Sequence, residues 1–75
     1  MKLVWMANTD YTHTLLRQDT PTKIPQKMAW IVRVFASNTP PHIWRARIIS
    51  SQEECVFTSL DQAKDWAKAV VLLNQ

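Results

Sequence analysis

Not one of the 75 residues is glycine, and that omission constrains the fold more than anything the chain contains. Glycine takes positive φ without a steric penalty and lets backbone approach a phosphate closely. Without it the chain has no P-loop, no Gly-rich dinucleotide turn and no nucleophile elbow. Turns fall to Asn, Asp, Ser and Pro, so tight Asn-Gly hairpins are absent and longer connections are expected.

A chain this short makes one domain, near the lower limit for a core that holds without disulfides or metal. Its 47% hydrophobic content, with four Trp, supplies the large apolar groups such a core needs. Homodimerisation is a second way to relieve the shortage. Cys55 is the single cysteine, so no internal disulfide forms, which fits a reducing cytoplasm. Residues 1–7 are too short for a secretory leader, and the longest apolar run, 69–73, is far below the roughly 20 residues of a membrane span. The expectation is a cytoplasmic protein without a membrane partner.

Periodicity points to an α+β fold: a three- to four-stranded antiparallel sheet packed on one C-terminal amphipathic helix. Strands are expected at about 2–7, 29–36 and 43–50, with 11–17 and 55–57 as further candidates, and a loop over 18–27. Within 29–36, Trp30, Val32 and Val34 alternate with Ile31, Arg33 and Phe35. Within 43–50, Trp44, Ala46 and Ile48 alternate with Ile43, Arg45, Arg47 and Ile49. Ser59 with Gln62 three residues on forms a capping box that opens a helix over 60–73. On that helix Leu60, Ala63, Trp66, Ala67, Val70, Val71 and Leu73 share an apolar arc, opposite Asp61, Lys64, Asp65 and Lys68.

The apolar arc needs a sheet face to cover it, and the expected acceptor carries Trp30, Val32, Val34, Trp44, Ala46 and Ile48. The opposite face would then present Ile31, Arg33, Phe35, Ile43, Arg45, Arg47 and Ile49. Arginines beside aromatic and branched side chains make a binding surface, because the guanidinium fork meets carboxylate or phosphate where apolar neighbours exclude water. The candidate binding residues are Arg33, Arg45, Arg47, Ile31 and Phe35, with Lys23 and Lys27. The alternative is that residues 1–20 fold over this face. Charge supports the binding reading: residues 1–50 hold seven of the nine Lys and Arg but two of the six Asp and Glu, so the sheet half is basic.

Nothing catalytic is expected. His13, His42 and Cys55 lack short metal-ligand spacing, and the acids fall on a polar turn or a solvated helix face. The expectation is no enzyme, no metal and no cofactor.

Two resemblances bear on function. The runs Trp30-Ile31-Val32-Arg33-Val34, Trp44-Arg45-Ala46-Arg47 and Phe57-Thr58-Ser59-Leu60-Asp61-Gln62-Ala63-Lys64-Asp65-Trp66-Ala67 resemble the N-terminal arm-binding, AP2-like domains of tyrosine integrases. That resemblance covers about half the chain. It implies three strands on one helix, a sheet entering the major groove of double-stranded DNA, and Arg33, Arg45 and Arg47 as DNA contacts. In size and type the chain also resembles small phage or mobile-element proteins that jam a host complex, anti-CRISPR proteins among them. The first reading is therefore a non-catalytic inhibitor docking its basic, aromatic sheet face on a host protein complex. The alternative is a DNA-binding module using the same face.

Overall fold

The computed structural model describes residues 2–18, 24–34 and 42–74. Five strands, β1 (Leu3–Thr9), β2 (Thr12–Arg17), β3 (Gln26–Val34), β4 (Ile43–Ile48) and β5 (Glu54–Phe57), precede one helix, α1 (Leu60–Leu73). The strands form one antiparallel meander in chain order. The α+β class and the C-terminal helix are as expected; the strand count is five, because both further candidate segments pair. The strand expected from residue 29 starts earlier, at Gln26. Leu15 pairs with Ala29 but Leu16 with Lys27, so Met28 is an extra residue, and this bulge lets the ladder continue into the expected loop.

A chain without glycine turns in two ways. Between β1 and β2 only Asp10 and Tyr11 intervene, a tighter connection than the missing glycine suggests. Thr9 Oγ1 accepts from the Tyr11 amide at 3.1 Å and meets Thr12 Oγ1 at 3.0 Å. Ala7 pairs with His13 and Thr9 with Thr12, so Asn8 bulges and takes up the twist mismatch that glycine usually relieves. Between β4 and β5 Gln52 adopts φ 58°, a left-handed conformation that costs about 1 kcal/mol in a residue with Cβ.

The helix starts at the expected place. Ser59, extended at φ −130°, accepts from the Gln62 amide at 3.5 Å, and Asp61 lies in the first turn. Leu73, expected in the buried arc, is 82% exposed, although Val71 in the same turn is buried.

The face that the helix covers differs from the expected one on β3. Ala29 pairs with Ile48, Ile31 with Ala46 and Arg33 with Trp44; directly opposed residues point to the same side. The covered face therefore carries Ala29, Ile31, Trp44, Ala46 and Ile48. Trp30, Val32 and Val34 point the other way. β3 is apolar on both sides, so alternation does not choose between them; close packing does. Ala29, Ala46, Ala63 and Ala67 are all fully buried, which brings helix and sheet into near contact over the centre. An indole at position 31 would hold the two layers apart. Leu15, Ile31 and Ile48 fill the remaining space, and burying each is worth about 1.5–3 kcal/mol. Trp5, Trp44, Trp66 and Phe57 wall this core, partly buried. Trp66 meets Phe57, with ring centroids 5.7 Å apart.

Candidate binding face

β1 and β2 extend the sheet sideways, so residues 3–17 do not fold over its uncovered side. The open face carries Trp30 and Val32 from the middle strand, Arg45 and Arg47 from β4, Met6 from β1 and Val56 from β5. All but Arg47, which is half-buried, are exposed.

Arg45 and Arg47 stand on this face as expected, but with companions other than those the sequence suggested. Ile31, expected beside them, is fully buried under the helix. Arg33 faces the helix side by its pairing with Trp44, and its guanidinium lies 4.2 Å from the Tyr11 ring centroid. Both corrections follow from the one-residue change in which side of β3 is covered. Phe35 and Lys23 lie outside the described residues. Lys27 is exposed, at the start of β3. The site residues not indicated by the sequence are Trp30 and Val32, expected under the helix. The small residues at 29, 46, 63 and 67 were the available signal.

Trp30 is the centre of the site. It is 43% exposed in the middle strand, and directly across from it the Arg47 guanidinium lies 5.8 Å from its ring centroid. On one side of the indole is a hollow of about 230 Å³ lined by Trp30, Arg47, Ile49 and Gln52. On the other is a hollow of about 220 Å³, whose lining includes Asn8, Thr12, Thr14, Lys27 and Val32. Asn8 Nδ2 donates to Thr14 Oγ1 at 2.8 Å and stiffens that rim. Arg45 is already engaged, its Nε 2.8 Å from Glu54 Oε1. That exposed pair adds little stability, but it sets a negative charge beside the guanidinium.

His13 and Cys55 do not meet. They lie on β2 and β5, with β3 and β4 between them, roughly 14 Å by strand spacing. His13 is buried on the helix side, its ring 5.8 Å from that of Trp44. Loss of hydration, and secondarily the Lys64 charge, lower its pKa from the ordinary 6.5. Among the described residues no three His, Cys, Asp or Glu side chains come together as a metal site, and no helix is long and apolar enough to cross a membrane.

No family model matches the chain, and no curated protein or solved structure matches it.

Proposed function

We propose that this chain is a non-catalytic binding protein that docks the open sheet face, centred on Trp30 and Arg47, onto a protein surface of a larger assembly. Its action is occlusion, in the manner of small phage or mobile-element inhibitors: the occupied surface is denied to its usual ligand. The observation that carries this reading is an exposed indole in the middle strand, with Arg47 beside it and a hollow on either side. Trp and Arg dominate binding energy where they sit centrally among apolar neighbours that exclude water. Val32 and Ile49, which line the two hollows with Trp30, provide such neighbours here, and Met6 and Val56 are exposed farther out on the same face. The molecule measures 42 × 24 × 17 Å, so one broad face matches a standard interface of about 800 Å² per partner.

The DNA-binding alternative draws on Lys27, Arg45 and Arg47 sharing this face and on the β3-β4-β5-α1 order. It is weakened by the position of Arg33 on the helix side and by the Arg45–Glu54 pair. Among the described residues that leaves Lys27 and Arg47, few charges for a surface that must gain affinity by displacing counterions.

Titration of labelled duplex DNA at low and moderate salt, beside capture of partners from bacterial lysate, separates the two. Stoichiometric capture of one protein complex without a DNA shift is expected. Micromolar DNA binding with a steep salt dependence, lost on Arg47→Glu, would replace this reading with the alternative.

A further inference from the structure

The two edges of the sheet are built differently. β5 is four residues long and carries Glu54, with Glu53 just before it. A short, charged edge resists pairing with another strand. β1 is seven residues, Leu-Val-Trp-Met-Ala-Asn-Thr, with neither a charge nor a proline. It is the outermost strand, and Met6 and Ala7 are exposed. Ahead of the Asn8 bulge near the turn, Leu3 to Ala7 runs in unbroken register with β2, which leaves a regular apolar stretch open to a further strand.

We propose that β1 pairs antiparallel with β1 of a second copy, making one continuous sheet across a two-fold axis at Trp5. The sequence of the edge specifies this occupant, because the strand is its own complement in that register. Trp5 opposes its counterpart, Val4 opposes Met6, Leu3 opposes Ala7, and Lys2 opposes Asn8. Every central pair is apolar and no like charges face each other, the condition under which cross-strand pairs stabilise. A host peptide would need to supply the same pattern by chance. The monomer also gains from such pairing. Its only fully buried large side chains among the described residues are Leu15, Ile31 and Ile48, a thin core for a chain of this length. Trp5 and Leu3 stand half-buried at its margin, where a second strand would cover them. The dimer would set two open faces side by side, whatever those faces bind. A single edge buries less than a standard interface, so the association is expected in the micromolar range.

Sedimentation equilibrium on the full chain, from low micromolar to near millimolar concentration, tests this. The apparent mass should rise reversibly from 8.7 kDa to twice that. Met6→Lys, at an exposed position, should weaken the dimer at least tenfold while leaving the circular dichroism spectrum unchanged. Val56→Lys on the opposite edge and Trp30→Ser on the open face should leave it intact. A mass that stays monomeric throughout overturns the proposal. So does a dimer that Trp30→Ser disrupts and Met6→Lys does not, which would place the contact face to face.

Discussion

Two neighbouring large apolar residues have opposite roles. Ile31 is fully buried between sheet and helix, whereas the Trp30 ring stands 43% exposed on the other side. Ile31→Ala should therefore cost about 2–5 kcal/mol through the cavity it leaves, and Trp30→Ala less than about 1 kcal/mol. Urea unfolding of the two variants measures both. A larger loss for Trp30→Ala than for Ile31→Ala would mean that the helix covers the other face. His13 belongs to the same scale. Its folded-state pKa is below the ordinary 6.5 because burial disfavours the charged ring, so the unfolded chain takes up the proton first on acidification. Stability is full above about pH 6.5 and falls as pH drops toward the folded-state pKa. Unfolding midpoints at pH 7.5 and 5 should differ in that direction, and His13→Leu should reduce the difference. An identical pH dependence in the variant would remove His13 as its cause.

At the scale of elements, legibility followed how local the determining interactions are. The bounds of the helix were legible, because Ser59, Asp61 and the apolar spacing act within a turn or two of each other. The strands were legible where alternation was strong and less so at their ends. The Met28 bulge extends β3 through a pairing with β2 that no local pattern announces. The side of β3 that the helix covers was not legible from periodicity, since Trp30 and Ile31 are both good core residues and only the fit between layers separates them. Arg45 and Arg47 were placed correctly because β4 has one apolar and one basic side; Ile31 and Arg33 were misplaced because β3 lacks that contrast. The four buried alanines at positions 29, 46, 63 and 67 made the choice. Ala67→Leu should accordingly cost about 1–3 kcal/mol by forcing the layers apart, measured as a lower melting temperature. A stabilised variant would show unfilled space where close contact is described.

For the whole molecule, one helix covers one side of a five-stranded sheet, and among the described residues no other element covers the opposite side. That division allows the two sides to carry separate tasks. Substitutions under the helix should act through stability, and substitutions around Trp30 should act through binding with the fold preserved. Arg47 joins the second group, since it lies beside the indole and not within the core. The most direct measurement compares the wild type with the double variant Trp30→Ser, Arg47→Glu, reading partner capture and melting temperature on the same preparations. The account predicts that capture is lost while the melting temperature changes by no more than a few degrees. Undiminished capture by the folded double variant would contradict it.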